Sequence, residues 1–398
     1  MKNQIILLFL ILSCIYTSTI HEIQISGNIF TNEKTILDLI SHSRGDSINI
    51  KQAIKDQEAL FNSGLFYDAI IYPSDSIYYI FVFEKPKLLA RPEADEHDIS
   101  GWSYGGSLLF NNIKGDNKKL KISALAGATT LIDIKYCQPK LHNTNDSLNI
   151  TLSNKYYENI ENDYKIYNQG IKTSIALFTY DASHQLKISN QLGYSKLYFG
   201  NGNTEKNYVM INSLIYKFNQ LNNLFKIKLS HVLFQDIYSG YFSIDLENNY
   251  YLYFSDNTDN GRLLIKNQLK LNCSNNIPIY NKIYLISENH VRGYNINKIP
   301  PNSNIVDNLL WNNIMTSTIQ VELPFYNLGS VSTDLLFFWD FGFGFDDYKK
   351  YELNNKIRSF GLGIRYDIMK LGSVDVCAGM NPYNANKEIQ VIVNFINF

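Results

Sequence analysis

The chain has 398 residues, 45% hydrophobic and 14% aromatic, with 29 Tyr against only 9 Pro. After residue 20 no apolar run approaches the ~20 residues of a membrane-spanning helix, which excludes a helical membrane protein. The net charge of −1 provides no basic field to attract nucleic acid, so we expect no nucleic-acid partner.

The chain begins with a segment typical of an export signal. Lys2 precedes an apolar stretch over residues 5–12, and small and polar residues follow through Thr19. This charged start and short apolar core predict a signal peptide over residues 1–19. Cys14 leaves two interpretations open, lipidation in an imperfect lipoprotein context or removal with the signal.

Residues 20–87 have a mixed pattern that differs from everything after them. Turn pairs and amphipathic spacing predict the order strand, helix, helix, strand, strand, over residues 23–25, 32–40, 50–61, 66–72 and 77–83. Gly64 follows the second helix, where a left-handed residue commonly ends a helix. The segment therefore reads as a small α+β domain.

Residues 88–100 are polar and acidic, and we interpret them as a linker. From Gly101 onward, apolar residues alternate with polar or charged ones, as in Phe242 to Leu252. An apolar outside and a polar inside indicate a β-barrel in lipid. Residues 101–398 are long enough for about 16 antiparallel strands, so the fold class is an α+β domain followed by an all-β transmembrane barrel.

One arginine stands in an unusual place within this pattern. Arg292 lies between Val291 and Gly293, so its guanidinium would project from a tight bend and could bind a carboxylate with two hydrogen bonds. Asp340 is a single acid among aromatic residues, on the inward face of its predicted strand. We expect these two side chains to meet in the barrel interior.

The same alternation turns other residues inward. Gln320 and Glu322 face the interior of one strand, and Arg365 faces it from another. Gly342, Gly361 and Gly363 lie on the same inner wall, and their missing side chains leave room for a loop that carries Arg292. The inward-facing residues thus predict a wall built to hold a loop.

These segments, in this order, resemble parts of one family. Residues 20–87, with Asn-Ser-Gly-Leu-Phe at 62–66 and Val-Phe-Glu-Lys-Pro at 82–86, resemble a POTRA domain. The Val-Arg-Gly-Tyr segment at 291–294 and the Phe-Trp-Asp-Phe-Gly segment at 338–342 resemble the barrel of the BamA-like outer-membrane assembly family, also called the bacterial surface-antigen family. For residues 20–87 the alternative is some other small secreted αβ domain.

The resemblance implies roles for particular residues. The loop would lock inside the lumen through Arg292, Gly293, Tyr294, Asp340, Glu322 and Arg365. Phe398 would be the terminal aromatic residue of the C-terminal barrel signal. The loop at 371–376 departs from the family pattern, and Ile396 stands where a further aromatic residue is frequent.

The resemblance also implies a function, namely assisting the folding and insertion of β-barrel proteins into the bacterial outer membrane. The POTRA domain would lie in the periplasm. The expected partners are unfolded outer-membrane β-barrel clients, bound at the POTRA edge strand and at the barrel seam, together with outer-membrane lipids and accessory lipoproteins.

Two alternatives remain open, a translocation pore of the two-partner secretion type and a passive structural barrel. The seven histidines are scattered and carry no zinc, nucleophile or phosphate-loop spacing. Cys137, Cys273 and Cys377 are far apart and odd in number, which argues against a metal cluster or a disulfide framework. We therefore expect neither an enzyme nor a cofactor.

Overall fold

The structure is a computed structural model. The parts of the chain that it describes are residues 19–97, 101–139, 147–159, 164–178, 184–220, 222–235, 240–254, 261–274, 276–278, 281–286, 290–294, 310–328, 331–347, 356–368, 372–381 and 384–395.

Residues 19–87 form a small domain, which we call the N-terminal module. Its elements are β1 (Glu22–Ser26), α1 (Glu33–Leu37), α2 (Ile50–Asn62), β2 (Phe66–Ser74) and β3 (Ile77–Glu84). The strand order is β1-β3-β2, with β1 parallel and β2 antiparallel to β3. The predicted order of elements in this segment is confirmed, and β1 and β2 are the two edges of its sheet.

Capping and amphipathic spacing explain α2. The Asn49 side chain accepts hydrogen bonds from the backbone N–H groups of Lys51 and Gln52 at 3.0 and 3.3 Å, which satisfies two of the donors left open at a helix start. Ala53 and Leu60 are buried on one side of the helix, against the core of the sheet. The helix is therefore held by its cap and by one apolar face.

A buried polar cluster lies inside the module. The Asp56 carboxylate is 2.6 Å from His42 Nδ1, accepts a hydrogen bond from the Tyr78 hydroxyl at 3.0 Å, and accepts another from the Ser41 N–H at 2.8 Å. Burial alone would raise the pKa of Asp56, but these hydrogen bonds outweigh it and hold the pKa below its usual value. The charged form therefore stabilises the module fully above the pKa of an unfolded aspartate, and this contribution is lost as the pH falls through the lowered pKa of Asp56.

Most of the remaining chain forms strands of one large sheet. Its strands are β4 (Leu88–His97), β5 (Gly101–Ile113), β6 (Lys118–Gly127), β7 (Thr129–Gln138), β8 (Ser147–Asn159), β9 (Tyr164–Phe178), β10 (His184–Phe199), β11 (Thr204–Gln220), β12 (Asn223–Phe234), β13 (Tyr241–Tyr253), β14 (Arg262–Asn272), β17 (Asn313–Leu328), β18 (Val331–Phe345), β19 (Lys356–Ile368), β20 (Gly372–Asn381) and β21 (Asn384–Phe395). Two short strands, β15 (Ile283–Tyr284) and β16 (Leu310–Trp311), pair with each other between β14 and β17.

The sixteen strands are hydrogen-bonded from β4 at one edge to β21 at the other, in chain order apart from the β15–β16 insertion. Every neighbouring pair from β8 to β21 is antiparallel. Among the described residues, β4 and β21 are not hydrogen-bonded to each other. The predicted antiparallel strands are present as one sheet with two free edges.

The linker predicted over residues 88–100 is wrong for residues 88–97, because these form β4; residues 98–100 lie outside the described part. Leu88, Ala90 and Pro92 are exposed, whereas Leu89 and Arg91 are more covered, so the segment has the two-residue period of a strand. The acidic composition concealed this period. Proline is compatible with an edge strand, where one row of N–H groups has no strand partner.

The two faces of the sheet differ in chemistry. One face, which we call the outer face, exposes large apolar residues such as Leu192, Tyr208, Phe242, Trp339 and Leu362. The other face, which we call the enclosed face, buries small polar side chains, namely Ser103, Ser174, Ser189, Ser213, Ser230, Thr318 and Ser359. This distribution is that of a sheet that presents its apolar side to lipid.

None of the helices in the described ranges is both long enough and apolar enough to cross a membrane.

Candidate functional site

The segment between β14 and β17 carries Arg292 onto the enclosed face. Its guanidinium donates from Nε to Asp340 Oδ2 at 2.8 Å and from Nη2 to Asp340 Oδ1 at 2.9 Å, while the Arg292 backbone N–H donates to Oδ2 at 3.2 Å. Arg292 is 6% exposed and Asp340 is 0% exposed. The structure thus brings together the two residues that the sequence pairs, in a two-pronged geometry that a lysine could not reproduce.

The rest of the guanidinium is also engaged. Its Nη1 donates to Gln320 Oε1 at 2.9 Å and lies 3.9 Å from Cys377 Sγ. Its carbon lies 3.7 Å from the centre of the Phe338 ring, a cation–π distance. Asp340, Gln320, Phe338 and Cys377 therefore hold Arg292 from three strands, β17, β18 and β20.

Glu322 forms a second centre on β17. Its Oε1 accepts from Arg365 Nη1 at 2.9 Å and from Gln320 Nε2 at 2.6 Å, and its Oε2 accepts from Arg262 Nε at 2.5 Å. Glu322 is 2% exposed, so two arginines compensate a fully buried carboxylate. Gln320 links the two centres, because it accepts from Arg292 and donates to Glu322.

Arg365 extends the network to β20. Its Nε and Nη2 donate to the two carboxylate oxygens of Asp375, both at 2.8 Å. The connected residues, which we call the lock network, are Arg262, Arg292, Gln320, Glu322, Asp340, Arg365 and Asp375. Three arginines thus face three carboxylates, and the network has no net charge.

Strand register explains these contacts. Arg262 on β14 lies directly opposite Glu322 on β17, and Arg365 on β19 lies directly opposite Asp375 on β20. Opposed residues on one face of an antiparallel pair bring their side chains within reach. Register therefore accounts for most of the network, and only Arg292 has to be delivered by a loop.

The backbone of the loop lies in close contact with the backbone of β20. Gly293 has φ +83°, and an added Cβ would lie 2.9 Å from the Gly379 Cα on β20. A side chain at Gly379 would meet the loop backbone in turn, since its Cβ would lie 2.5 Å from the Gly293 Cα. The two glycines therefore permit a contact that other residues would block.

The predicted inner-wall glycines have two different roles. A Cβ at Gly342 would lie 2.7 Å from Val291 Cγ2 and 2.8 Å from Leu285 Cδ1, so this glycine makes room for the loop. At Gly361 a Cβ would collide with the Phe338 ring, and at Gly363 it would lie 2.8 Å from Cys377 Sγ.

For Gly361 and Gly363 the expectation of direct room for the loop is therefore wrong. They leave space for Phe338 and Cys377, which are wall side chains that contact Arg292. The reason is that the backbone of β20 and neighbouring side chains on the same face of the sheet, and not the loop, lie beside these two glycines.

Tyr294 ties the end of the described loop to β19. Its hydroxyl donates to the Arg358 carbonyl at 2.7 Å and accepts from the Arg358 N–H at 3.3 Å. The pairing of β19 with β20 extends only to Phe360 opposite Met380. The Tyr294 hydroxyl therefore satisfies backbone groups of β19 just beyond the end of that pairing.

The sequence reading did not assign Arg262 or Asp375 to the site. Both had a signal in the two-residue period, because Arg262 shares the face of Lys266 and Asp375 alternates with Val374 and Val376. Their partners, however, depend on strand register. Phe398, Cys14 and residues 1–18 of the predicted signal peptide lie outside the described residues.

The lock network is suited to holding the loop that carries Arg292 in place. Each of its charged side chains pairs with another member of the network, and in the part of the chain that the structure describes no group of three or more His, Cys, Asp or Glu is placed to bind a metal ion. Burial in a low-dielectric interior makes each pair costly to separate. Together with the contact of Tyr294 to β19, the network can anchor the loop to β17, β18, β19 and β20.

Comparison with protein families identifies the region that contains the network. Residues 224–390 match the Omp85 superfamily domain, and all seven network residues lie within this range. These residues are similar to the Omp85 superfamily domain over less than half of the chain. The BamA-like family inferred from the sequence is thereby supported.

Several solved structures are similar in fold to this chain. BamA from Haemophilus ducreyi lacking POTRA domains 1–3 matches with a TM-score of 0.65 at 14% identity, over 94% of this chain and 84% of that one. CdiB from Escherichia coli matches with a TM-score of 0.63 at 12% identity, over 94% and 75%. CdiB from Acinetobacter baumannii matches with a TM-score of 0.62 at 12% identity, over 95% and 74%.

A comparison with curated protein sequences returned no significant match. At 12–14% identity the structural similarities establish the fold of this chain, and its specific activity has to be argued from its own residues.

Proposed function

We propose that the protein is an outer-membrane assembly factor that helps β-barrel clients to fold and insert. In this proposal the sheet from β4 to β21 is a barrel wall in the bacterial outer membrane, and the N-terminal module is a POTRA domain in the periplasm. The observation that carries the proposal is the pair of free edges, β4 and β21, on a sheet whose outer face is apolar.

A free edge in lipid has a strong tendency to pair. Each unsatisfied backbone group in the hydrocarbon region costs several kcal/mol, so an edge strand there favours pairing with any strand that can satisfy it. A client strand that adds to β4 or β21 would gain these hydrogen bonds while it enters the membrane. The edges of the N-terminal module, β1 and β2, offer the same kind of pairing outside the membrane.

The lock network supports this function by keeping the wall intact during such a reaction. It joins β14, β17, β18, β19 and β20 through charged groups of which Arg292 and the three carboxylates are buried, so these strands resist separation. The remaining strands toward β4 are outside the network. In the proposal, opening and client pairing occur at the edges, and the network keeps the loop in place.

The proposal predicts where a client should be found. A photo-crosslinking residue at Ala90, which is exposed on β4, should capture unfolded barrel substrates, whereas one at Leu192 on the outer face of β10 should capture lipid. Depletion of the protein should lower many unrelated barrels in the outer-membrane proteome. Equal client capture at both positions, or an unchanged barrel set, would overturn the proposal.

A second candidate is a translocation pore of the two-partner secretion type. The observation in its favour is a polar cavity of about 400 Å³ on the enclosed face of β7–β11, lined in part by Lys135, Lys172, Asn168 and Gln191. Loss of one exported protein on depletion, with the barrel set intact, would select this candidate. A passive structural barrel would leave both unchanged.

A further inference from the structure

Residues of β7–β11 form a groove on the outer face of the sheet. The groove has a volume of about 450 Å³, and Gly170 and Gly193, which pair with each other on β9 and β10, are among the residues that line it. Three of its lining side chains are well exposed, namely Ile171 (50%), Leu192 (58%) and Tyr208 (53%). The groove is therefore accessible from the side of the sheet whose apolar residues suit lipid.

Strand register arranges the outer-face residues of β8–β11 in cross-strand rows. Successive rows are two residues apart on each strand, or about 6.8 Å. The first row is Tyr156, Tyr167, Lys196 and Lys206, the second is Asn154, Gln169, Tyr194 and Tyr208, and the third is Leu152, Ile171, Leu192 and Met210. Residues of the second and third rows line the groove. The outer face thus changes from cationic and aromatic to apolar within three rows.

The two lysines of the first row lie directly opposite each other on β10 and β11. Like charges in this position destabilise a strand pair. Lys196 Nζ lies 4.4 Å from the centre of the Tyr198 ring, and within the described part of the chain no carboxylate lies at ion-pair distance from either ammonium group. Glu205, next to Lys206 in the chain, is on the other face of the strand. The two lysines are therefore placed to share an anion.

The order of the rows matches the order of chemical groups in a membrane lipid. Tyrosine and lysine are favoured at the level of the lipid headgroups, whereas apolar residues face the acyl chains. The lysine pair lies at one end of the groove, one row beyond the two tyrosines that line it. A ligand with a negative group joined to a hydrocarbon chain would fit both features at once.

We propose that this groove binds an anionic phospholipid, whose phosphate lies between Lys196 and Lys206 and one of whose acyl chains lies in the groove. A zwitterionic headgroup carries its own cation, which the lysine pair would repel, so the site favours a lipid with net negative charge. The inference deepens the proposed function and rests on the part of it that places the outer face in a membrane.

The test uses the full chain in detergent, mixed with equal amounts of phosphatidylglycerol and phosphatidylcholine that have the same acyl chains. Native mass spectrometry counts the lipid that remains bound. We expect phosphatidylglycerol to be retained at least about fivefold over phosphatidylcholine, and Lys196→Gln/Lys206→Gln to remove this preference. Lys217→Gln, which changes an exposed lysine on the other face of β11, should keep the preference. Equal retention of the two lipids by the unmodified protein, or retention of neither, would overturn the proposal.

A charge-conserving variant guards against an effect of misfolding. Lys196→Arg/Lys206→Arg keeps both positive charges and should keep the preference for phosphatidylglycerol. A loss as large as that of the glutamine variant would show that the charge of these residues does not select the lipid. Displacement of phosphatidylglycerol by a tenfold excess of inorganic phosphate would assign the lysine pair to a free anion and would also overturn the proposal.

A second pair of variants tests the groove. Leu192→Trp places a larger side chain in the groove and should lower the retention of phosphatidylglycerol at least about threefold, because the acyl chain loses buried contact. Ile188→Trp is the matched control, since Ile188 is exposed on the same face of β10 and does not line the groove. Equal retention by these two variants would show that the acyl chain does not lie in the groove.

The inference and the proposed function can fail separately. If the purified protein shows no preference for phosphatidylglycerol while depletion still lowers many barrels, the lipid site is wrong and the assembly function stands. If the preference depends on the lysine pair but depletion leaves the barrel set unchanged, the assembly function is wrong and the lipid site stands.

Discussion

Two stretches of the enclosed face arrange their inward-facing charged side chains in different ways. Across β14–β20, three arginines meet three carboxylates at 2.5–2.9 Å, and Gln320 links them into one network. Across β10–β14, three lysines share one line with a single acid. The first stretch joins its charged groups into one network across five strands, whereas the second sets three lysines on alternate strands of one cross-strand line.

The two stretches also differ in their cationic residue, which is arginine in the first and lysine in the second. The planar guanidinium of Arg292 or Arg365 binds both oxygens of one carboxylate and still reaches a second acceptor, which suits a buried network. The ammonium group of lysine is a flexible, strongly hydrated point charge that remains adaptable to a partner. The comparison therefore predicts that substitutions in the lock network destabilise the protein and that substitutions of Lys187, Lys228 or Lys270 do not.

The largest effect is expected from Asp340→Ala, which leaves the buried Arg292 guanidinium without its carboxylate. We expect a loss of about 3–5 kcal/mol in the free energy of unfolding, typical of breaking a buried pair. Urea unfolding followed by tryptophan fluorescence would measure it. The double variant Arg292→Met/Asp340→Leu should lose less than Asp340→Ala, because it removes both charges, and a larger loss would contradict the assigned pairing.

Glu322→Gln should rank next, because Arg262 and Arg365 would then share the remaining carboxylates. Hydrogen bonds to charged groups contribute about 1.5–3 kcal/mol each, and we expect a loss at the upper end of that range in the same unfolding measurement. Glu247→Gln is the matched control in the lysine-rich stretch. Its one salt bridge to Lys226 is partly exposed, so its loss should stay below about 1 kcal/mol.

Gly293→Ala tests the fit of the loop against β20. A residue at positive φ costs about 1–2 kcal/mol, and overpacking against the Gly379 backbone adds about 1–3 kcal/mol. Gly202→Ala isolates the first contribution, since Gly202 has φ +86° and nothing within 4 Å of an added Cβ. Equal losses of unfolding free energy for the two variants would show that the loop does not press on the wall.

The smallest effect is expected from Lys228→Gln. Substitutions away from packed or paired features usually change the free energy of unfolding by no more than about 0.5 kcal/mol. Removal of the Lys228 charge also relieves its repulsion with Lys187 and Lys270. Urea unfolding at low salt is the most sensitive measurement. A loss above about 2 kcal/mol would place Lys228 in a structural network and would remove the distinction between the two stretches.

Much of the site was accessible from sequence because the relevant signals are local. The two-residue period placed Asp340, Glu322 and Arg365 on one face, and the Val-Arg-Gly-Tyr segment marked Arg292 as exceptional. The same period also marks Arg262 and Asp375 as inward-facing. It does not indicate which inward-facing residues are opposite one another.

The error at residues 88–97 has a similar origin. Composition suggested a solvated linker, because several acidic residues lie close together. An edge strand needs hydrogen bonds along only one side and tolerates proline, so its sequence resembles a linker more than a central strand does. Whether such a segment pairs depends on the neighbouring strand, here β5.

The sequence by itself determined the class of the protein, the faces of its strands and the residues with unusual chemistry, because alternation and turn signals act over a few residues. Tertiary structure decided which inward-facing side chains pair with one another. Register put Arg262 opposite Glu322 and Arg365 opposite Asp375, and the same register aligned Lys187, Lys228 and Lys270 across β10–β14. The physical reason is that register depends on how whole strands align through their turns and backbone hydrogen bonds, which no short stretch of sequence encodes.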